Sequence, residues 1–435
     1  MTTGHPRYRC TLLVALTILF SVSVVPLHAQ SCFGGDGPVT LWLPWQPSEV
    51  DILLGVLAPV AEGCAEVVTF DPGNYGTQLQ TAVAAGTPPD IALLQDTTLL
   101  GNLVFSGALM PLGELGLNPD NYFSNNYLGG WSFDPESDSY ALGVGITPVS
   151  SVVWYSPQQF EAWGIPVPTS YGEFLELLDN LPSERRPLSF SENGWSGFNL
   201  VQDLLTANAG LGYVYDILGR PEEIDSNPLT DAFNQFSNLY AEYSYIGADF
   251  SDAILAPFGS APQAWMTISG GFAADIIQGN YPEYRYGRDY AAFPLYVPLQ
   301  SMGQFVVAFD GRPGVQVILN YLSSDEGGAA WTDSGLGLSA VIPQSPWSYS
   351  NFSQADLGRY LQDLGLAYSL QGLINPEMSS MMQQMTMSVA SGGATGEEAS
   401  GQVVSGVAVG SCPGYWVCVS YSYYGCTRWV WKTRC

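Results

Sequence analysis

The fold is decided between residues 39 and 97, where the sequence runs VTLWLPWQPSEVDILLGVLAPVAEGCAEVVTFDPGNYGTQLQTAVAAGTPPDIALLQDT. Within this stretch three apolar runs predict buried strands: VTLWLPW (39–45), EVVTF (66–70) and DIALL (90–94). The residues between these runs predict helices, and the turn Gly86-Thr87-Pro88-Pro89 ends the second of them. Strands that alternate with helices at this spacing are typical of a parallel sheet with crossover helices. The stretch therefore predicts an α/β fold.

Polar and aromatic residues follow the predicted strands at the edge where ligands bind. Parallel sheets of this class bind ligands beyond the carboxyl ends of their strands. The residues in that position are Trp45 after the first strand and Gln95, Asp96 and Thr97 after the third. Asp96 also suits the N-cap of the next helix, and the two roles can coexist. These four residues are candidate ligand contacts from the pattern alone.

The composition excludes several classes of protein. The chain has 435 residues, of which 46% are hydrophobic and 12% charged, so it is a folded chain long enough for one large domain or two ordinary ones. Lys and Arg number 12 against 40 Asp and Glu, which gives a formal net charge of −28 at pH 7. Nucleic-acid binding needs a basic face, so we exclude it as a function. Anionic substrates are disfavoured because few arginines are available to bind them.

Residues 1–29 have the pattern of a signal peptide. Arginines precede an apolar run, LLVALTILFSVSVV (12–25), and the small residue Ala29 offers a cleavage point. The alternative, a retained membrane anchor, is disfavoured because the run is short for a bilayer span. Cleavage predicts an exported protein, extracellular or periplasmic, with association to the membrane left open. It also removes both histidines, His5 and His28, and with them histidine-dependent catalysis and HExxH zinc sites.

The cysteines predict disulfides. Besides Cys10 in the predicted signal peptide, the chain contains Cys32, Cys64, Cys412, Cys418, Cys426 and Cys435. An even number of cysteines in an exported chain is typical of paired thiols. Cys32 precedes the first predicted strand and Cys64 the second, so one bridge can join the two strand starts if the strands are neighbours. The alternative for Cys32 is a lipid anchor, because Ala29-Gln30-Ser31-Cys32 is a weak lipobox.

The four C-terminal cysteines lie in a region of unusual composition. Residues 388–410 are low in complexity and predict a linker, whereas residues 411–435 are rich in Tyr, Trp and Cys. Since this region has no CxxC pair and no histidine, two local disulfides are favoured over a zinc site, and no metal is expected. We therefore predict a Gly/Ser linker and a Cys- and aromatic-rich tail over residues 401–435, of unknown role.

Three proline-containing segments predict passages of the chain between two lobes. Residues 140–155 (YALGVGITPVSSVVWY) predict two strands interrupted at Thr147-Pro148, because proline cannot lie within a central ladder. The segments PLYVP (294–298) and VIPQSP (341–346) are the other candidate hinges. Hinges of this kind allow a cleft to close around a ligand.

Five segments resemble, in the same order, elements of the bacterial extracellular solute-binding proteins of the maltose-binding type, which serve ABC transporters. The first, AVAAGTPPDIALLQDTTLLGNLVFSGALMPL (82–112), is similar to the family pattern A-A-G-x-x-P-D, followed by a strand and G-x-L-x-P-L. The others are residues 140–178, 264–277, 287–294 and 303–324. The resemblance spans roughly residues 38–400, and the tail has no counterpart in it.

The resemblance implies a periplasmic-binding-protein fold of two α/β lobes joined by hinge strands, with the ligand in the cleft between them. The lobes would comprise residues 38–146 with 300–342, and residues 147–299 with 343–400. It implies a monomeric binding protein, not an enzyme, that needs no cofactor and delivers a carbohydrate, an oligosaccharide or a glycoside, to an ABC permease. Because the chain has no Walker motif GxxxxGK[ST], the ATPase of that transporter must be a separate subunit.

The resemblance also implies which residues contact the sugar. By position in the family, the candidates are Trp45, Asp96, Gly270, Gly271, Phe272 and Gln304. Asp96 corresponds to the acid that accepts sugar hydroxyls, and Gln304 stands where some relatives carry an acid. The apolar faces of sugar rings also stack on flat aromatic side chains, which favours Trp195 and Trp265, both near glycine turns, as platforms.

Two alternatives stay open from the sequence. A secreted carbohydrate-active enzyme would use two carboxylates, and the many acidic residues do not exclude it, although the chain has no evident paired-acid motif. The same fold could instead bind a polyamine or another small cation, since acidic and aromatic side chains suit a cation equally well.

Overall fold

The computed structural model of the protein describes residues 32–45, 47–118, 126–128, 130–132, 138–192, 194–219, 223–342, 345–374, 376–409, 415–422 and 425–432. The predicted signal peptide (1–29), Cys412 and Cys435 lie outside these residues. Within the ranges that are described, no helix combines the length and the apolar character needed to cross a membrane.

The strands form two sheets, and the three strands predicted between residues 39 and 94 are present with bounds shifted by one or two residues. In chain order they are β1 (Val39–Leu43), β2 (Ala65–Thr69), β3 (Ile91–Leu94), β4 (Gly130–Ser132), β5 (Ala141–Pro148), β6 (Val152–Tyr155), β7 (Arg186–Ser191), β8 (Ser244–Gly247), β9 (Ala264–Ser269), β10 (Ala291–Pro294), β11 (Leu299–Ala308), β12 (Leu338–Ser339), β13 (Leu366–Tyr368), β14 (Tyr415–Ser422) and β15 (Gly425–Lys432).

Helices cover both sheets. They are α1 (Pro47–Ala61), α2 (Pro72–Ala84), α3 (Thr97–Phe105), α4 (Pro157–Trp163), α5 (Tyr171–Asn180), α6 (Gly194–Gly219), α7 (Asn227–Asn238), α8 (Phe250–Leu255), α9 (Ala273–Asn280), α10 (Pro313–Leu322), α11 (Asp325–Ser334), α12 (Phe352–Leu364), α13 (Pro376–Ala390) and α14 (Gly396–Val409). Helix α6 is kinked at Gly210, which has φ 83° and ψ 160°. Glycine adopts this conformation without the steric cost that a side chain would add.

The first lobe, called the large lobe below, is built on a sheet with strand order β14-β15-β4-β5-β11-β3-β1-β2 in the described residues. Strand β1 is parallel to β2 and β3, with Val39 opposite Ala65 and Leu41 opposite Ile91, so the predicted βαβαβ unit is confirmed. All four residues of β3 are buried, which explains its continuous apolar sequence. Strand β11 lies antiparallel between β3 and β5.

The second lobe, called the small lobe, is built on a sheet with strand order β10-β6-β9-β7-β8. Strand β7 is parallel to both β8 and β9, so the carboxyl ends of these three strands lie at one edge. Strand β6 is antiparallel to β9, strand β10 is antiparallel to β6, and both connect this sheet to the large lobe. The fold is therefore the two-lobed α/β architecture that the sequence predicts.

Two passages join the lobes next to the predicted hinges, but the predicted break at Thr147-Pro148 is wrong, because β5 continues through both residues, paired with β11. The chain leaves β5 and enters β6 through residues 149–151, and it returns from β10 to β11 through residues 295–298. The passages are bonded to each other by hydrogen bonds of 2.9 Å from Val149 N to Gln300 O and from Leu295 N to Ser151 O. Paired crossing strands of this kind give a hinge with a defined axis.

The third predicted hinge, residues 341–346, includes Pro343 and Gln344, which lie outside the described residues. The strand before it, β12, pairs with β5 of the large lobe. Helix α12 after it packs on the small lobe, where the Tyr360 hydroxyl donates to the carbonyl of Ala292 at 2.7 Å. The chain thus changes lobes a third time between these two elements.

A buried carboxylate holds the first passage. Asp203 of α6, which is 3% exposed, accepts hydrogen bonds from the Ser150 hydroxyl (2.6 Å), the Ser151 amide (2.9 Å) and the Ser151 hydroxyl (2.7 Å). Ser151 has φ 70°, in the left-handed region that residues other than glycine rarely adopt. Its hydroxyl also accepts from Gln300 N at 2.9 Å. One carboxylate of α6 therefore connects to both passages.

Cys32 and Cys64 form a disulfide with their Cα atoms 5.4 Å apart. The bridge joins the segment before β1 to the residue before β2, as the parallel pairing of these strands predicts, so this predicted disulfide is confirmed. A lipid on the Cys32 sulfur is incompatible with the bridge. Cys418 and Cys426 lie in β14 and β15, and disulfide pairing in the tail stays a prediction.

Asp90 ties three separate segments of the large lobe together. Its Oδ2 accepts hydrogen bonds from Thr40 N (2.7 Å) and Thr40 Oγ1 (2.8 Å), and its Oδ1 accepts from Arg312 Nε (3.1 Å). Burial alone would raise the pKa of Asp90, but the hydrogen bonds from Arg312 and Thr40 lower it below its ordinary value. Asp90 is the last residue of the A-A-G-x-x-P-D motif, so the acid of that motif is structural in this protein.

We expect Asp90→Asn to lower the free energy of unfolding by about 1 to 3 kcal/mol at neutral pH, because charge-assisted bonds from Thr40 and Arg312 are lost. A lowered pKa in the folded state means that this stabilisation exists above the pKa of an unfolded aspartate, about 3.9, and disappears as the pH falls through the folded value. Urea denaturation should show a gap between variant and wild type that narrows in acid. A gap of constant size would contradict this role.

The C-terminal region contains helices and strands instead of the predicted linker. Helix α14 lies within the segment expected to be a linker, and Ala399 and Val403 on it are fully buried. The linker prediction is wrong because the small residues here permit close packing: a Cβ on Gly396 would lie 2.8 Å from the carbonyl oxygen of Thr230 on α7. Beyond α14, strands β14 and β15 form a hairpin that extends the large sheet.

Candidate functional site

A cavity of about 390 Å³ lies beyond the carboxyl ends of β1 and β3. Two larger cavities, of about 590 and 540 Å³, lie elsewhere, one around the α4–α5 connection and one between β10 and α12. The smaller cavity is the candidate site because it occupies the sheet edge at which parallel α/β proteins bind ligands. Its lining residues are Pro44, Tyr75, Gly76, Gln95, Asp96, Thr97, Thr98, Leu99, Met302, Gln371, Gly372, Ile374 and Ser379.

Asp96 lies at the cavity and is exposed, as the sequence predicts. It is also the N-cap of α3: its Oδ1 accepts from the amides of Thr98 (2.8 Å) and Leu99 (3.1 Å). Among the described residues no donor bonds Oδ2, so this oxygen can accept from a ligand. The cap fixes the carboxylate in one orientation, and the two roles suggested by the sequence are compatible.

Gln95 and Thr97 flank Asp96 in the cavity wall. Thr97 is buried, and its hydroxyl donates to the carbonyl of Gly372. The Thr98 hydroxyl donates to the carbonyl of Ile374 at 3.4 Å. The start of α3 is therefore bonded to the segment that follows β13, and these contacts close one end of the cavity.

Gln371 connects the cavity to the small lobe. Its amide nitrogen donates to the carbonyl of Trp195 on α6 at 3.0 Å, and its Oε1 accepts from Gln383 of α13 at 2.8 Å. The cavity wall formed by Gln371 is thus held by α6, which follows β7 of the small sheet, and by α13, which packs on α6, whereas the opposite wall belongs to the large sheet. The cavity lies between the lobes.

Gln304 and Trp331 each hold a buried polar atom without a partner in the described residues: Gln304 Oε1, an acceptor, and Trp331 Nε1, a donor. Both side chains surround Gly145, since a Cβ there would lie 2.8 Å from Trp331 Cζ2 and 3.2 Å from Gln304 Oε1. The pairing of Phe305 with Leu94 puts Gln304 next to Gln95 at the sheet edge. Gln304 is therefore beside the cavity, and it has unused hydrogen-bonding capacity.

Trp195 and Phe272, both predicted from the sequence, come together at the carboxyl edge of the small sheet. Each is half-buried, and their ring centroids lie 6.2 Å apart. Phe250 completes the cluster, with its centroid 6.3 Å from Trp195 and 5.5 Å from Phe272. Sequence reasoning missed Phe250, because nothing in its local sequence distinguishes it from a core phenylalanine.

Gly270 and Gly271 contact the hinge and not the cavity. A Cβ on Gly270 would lie 2.3 Å from the carbonyl oxygen of Pro148, at the end of β5. Gly271 N donates to that same carbonyl at 3.0 Å. The glycines are required for close approach of the β9 turn to the first passage. Both glycines therefore have a structural role at the hinge, and their contact with a ligand stays a prediction.

Trp45 and Trp265 belong to the two cores. Trp45 is 6% exposed and packs against Trp331, with ring centroids 6.1 Å apart. Trp265 is 1% exposed in β9, its indole nitrogen donates to the carbonyl of Pro182 at 2.9 Å, and the Arg185 guanidinium lies over its ring. The prediction of ligand-facing rings at these positions is wrong, since both side chains fill the interior where strands meet helices.

Several lining residues have no signal in the sequence. Tyr75 of α2 is buried and donates its hydroxyl to the carbonyl of Trp42 at 3.0 Å, and burial raises its pKa above the ordinary value. Gln371 and Ser379 follow the third passage, about 280 residues after the strand edge that they face. Only the tertiary fold brings these residues to the cavity.

The chemistry of the cavity is that of hydrogen bonding. Among its lining residues, Asp96 is the one carboxylate, and the other polar groups are amides and hydroxyls. In the part of the chain that the structure describes, no cluster of three His, Cys, Asp or Glu side chains is arranged to hold a metal ion. The site suits a neutral, polar guest.

Known proteins with similar sequences support the family suggested by the five segments. The profile of the family described as bacterial extracellular solute-binding protein matches residues 65–356. The chain is 24% identical over 291 residues to the osmoprotective compounds-binding protein GgtB of Synechocystis, a match that covers 62% of this chain and 68% of GgtB. It is 25% identical over 288 residues to the alpha-glucosides-binding periplasmic protein AglE of Rhizobium meliloti, covering 60% and 61% of the two chains.

A solved structure shares the fold. The bacterial solute receptor AcbH, described with a preference for β-D-galactopyranose, superimposes with a TM-score of 0.69 at 18% sequence identity, over 85% of this chain and 98% of AcbH. The family profile spans most of the chain, and the fold and the interlobe cavity agree with it. The protein therefore belongs to the bacterial extracellular solute-binding protein family.

Proposed function

We propose that the protein captures a carbohydrate, an oligosaccharide or a glycoside, in the cleft between its lobes and delivers it intact to an ABC permease, whose ATPase is a separate subunit. Members of this family are binding proteins, not enzymes. The relatives named above bind sugars or osmoprotective compounds according to their names. Ligand would stabilise the closed form through contacts made by both lobes.

The observation that carries this proposal is the lining of the 390 Å³ cavity. Amides and hydroxyls outnumber the single carboxylate, Asp96. Sugar hydroxyls donate and accept hydrogen bonds, so they can satisfy groups of this kind when water is removed, and a buried group left unpaired costs about 1–3 kcal/mol. A polyamine would need several carboxylates along its length, and this cavity does not offer them.

Two further groups fit a sugar. The acceptor Gln304 Oε1, which has no partner among the described residues, would be satisfied by a hydrogen bond from a sugar hydroxyl. The cluster of Trp195, Phe250 and Phe272 on the small lobe would contact the apolar face of a sugar ring. We infer that the ligand lies between these two groups when the lobes close.

The division of the lobes that we propose is residues 38–146 with 300–342 and residues 147–299 with 343–400. The sheet membership of the strands supports it, with the exception that β13 and the tail hairpin join the large sheet. As a member of an extracellular family the protein is exported, and we propose that it acts as a monomer after loss of residues 1–29. Association with the membrane would then run through the permease, because Cys32 is in a disulfide.

A thermal-shift screen tests the proposal. Mono- and oligosaccharides are compared with spermidine-like amines. A ligand that binds the folded state raises the melting temperature, because at a ligand concentration of a hundred times the Kd it stabilises that state by about 2.7 kcal/mol. Sugars should shift the melting temperature and amines should not. If only the amines shift the melting temperature, the ligand is a small cation and not a sugar. If reducing sugar is released during incubation with oligosaccharides, the protein is an enzyme.

For the sugar found in that screen, we expect Asp96→Asn to weaken binding by about 10- to 100-fold, since a charged acceptor is lost. Asparagine also caps helices, so the melting temperature without ligand should change little. Asp249→Asn is the matched control, because Asp249 caps α8 by accepting from Asp252 N at 2.8 Å and lies outside the cavity. Titration calorimetry measures the affinity of both variants for the sugar. If Asp96→Asn binds as tightly as wild type, Asp96 does not contact the ligand.

A further inference from the structure

The C-terminal hairpin is attached to the edge of the large sheet. Strand β15 pairs with β14 in antiparallel fashion and with β4 in parallel fashion, with Trp429 opposite Trp131. Strand β4 is in turn antiparallel to β5, the strand that leads into the first passage. The hairpin is thus part of the large lobe, although it lies beyond the segment matched by the family profile, which ends at residue 356.

The same hairpin also contacts the small lobe. Trp429 is fully buried, and its ring centroid lies 5.2 Å from Tyr215 and 5.6 Å from Tyr368, in edge-to-face arrangements. Tyr215 is on α6, the helix that begins at the carboxyl end of β7 and carries Asp203. Edge-to-face aromatic pairs are attractive beyond the area that they bury, so the contact is specific as well as apolar.

Tyr368 lies at the hinge itself. It belongs to β13, where it pairs with Ser301 at the start of β11, and its hydroxyl accepts from Gly303 N at 3.2 Å. The Tyr215 hydroxyl accepts from Tyr368 N at 2.7 Å. Trp429 therefore covers the point where α6 of the small lobe meets the hinge strand of the large lobe.

We propose that the hairpin is a clasp that spans the two lobes and limits how far they open in the absence of ligand. When the lobes open about the passages, α6 must move relative to the edge of the large sheet. Trp429 belongs to a strand of that sheet and packs against Tyr215 of α6, so opening has to break this contact. A clasp of this kind raises the fraction of molecules that are competent to bind. The apparent Kd falls as that fraction rises. The proposal concerns the motion of the lobes. Only the expected change in sugar affinity rests on the proposed function.

The test is small-angle X-ray scattering of the full chain without ligand. Trp429→Ala should increase the radius of gyration and the maximum dimension, with an unchanged far-UV circular dichroism spectrum. Trp429→Phe keeps an aromatic ring and should return the wild-type values. Trp347→Ala is the matched control, because Trp347 is 88% exposed, and it should change neither dimension.

Tyr215→Leu is a second variant, for use if Trp429→Ala does not fold. It removes the ring on α6 against which Trp429 packs and leaves the hairpin sequence unaltered. Once a sugar ligand is known, both variants should bind it about tenfold more weakly, while the ligand-saturated dimensions match those of wild type. Unchanged ligand-free dimensions in the folded variants would overturn the clasp, whatever the ligand. Larger dimensions with no sugar binding at all would support the clasp and count against the proposed function alone.

Discussion

Replacing Asp203 with alanine is expected to lower the free energy of unfolding by about 3 to 5 kcal/mol, the largest effect of a single side chain that we predict. The carboxylate accepts three hydrogen bonds from Ser150 and Ser151 in a site from which water is excluded. Alanine leaves these donors buried and unpaired. Urea denaturation measures the loss. The control is Asp231→Ala, an exposed position on α7, which should change stability by less than about 0.5 kcal/mol.

Asp203 should also make stability depend on pH. Burial raises the pKa of Asp203 to about 7, against the opposing effect of the hydrogen bonds from Ser150 and Ser151. An unfolded aspartate titrates near pH 4, so between about pH 4 and 7 the folded protein holds a proton that the unfolded chain does not. The contribution of this group to stability therefore decreases as the pH rises through that window and levels off above it.

Asp203→Asn isolates this effect, because the amide does not titrate. The difference in unfolding free energy between wild type and Asp203→Asn should move by a few kcal/mol between about pH 4.5 and pH 8, in favour of the variant at the higher pH. Denaturation curves at several pH values measure the difference. A difference that stays constant would show that the buried carboxyl keeps one protonation state throughout.

The second large effect is expected from the Cys32–Cys64 disulfide. The bridge closes a loop with a sequence separation of 32. In the chain-entropy treatment, a loop of that length stabilises the folded state by about 3 to 4 kcal/mol, because it restricts the unfolded chain. The double variant Cys32→Ser/Cys64→Ser should lose this amount in urea denaturation. It isolates this bridge from the cysteines of the tail, and a loss below about 1 kcal/mol would contradict the expected contribution.

Local patterns predicted much of the fold. The βαβαβ unit, the first two hinges and the Cys32–Cys64 bridge follow from apolar runs, prolines and the proximity of parallel strand starts. The same pattern predicts Asp96 at the edge of the sheet where the cavity lies, and its ligand contact stays a prediction. In each case the information is carried by residues close in sequence.

The errors have a common physical cause. The position of Trp45 after a strand and that of Trp265 near a glycine turn predict contact with a ligand, but aromatic residues near strand ends fill cores as readily as clefts. The many small residues around Ala399 predict a linker, yet small residues also allow helices to pack closely. Composition and position along the chain do not distinguish these outcomes, since tertiary neighbours decide between them.

The position of β11 has a consequence for the newly made chain. This strand lies between β3 and β5 in the sheet, yet residues 152–294, which carry the whole of the other sheet, separate it from them in sequence. The large lobe thus cannot complete its interior until synthesis has passed residue 308. Folding that depends on the pairing of strands so distant in sequence is slow. Delayed folding leaves the newly made chain unfolded for longer, and an unfolded chain is easier to export than a folded one.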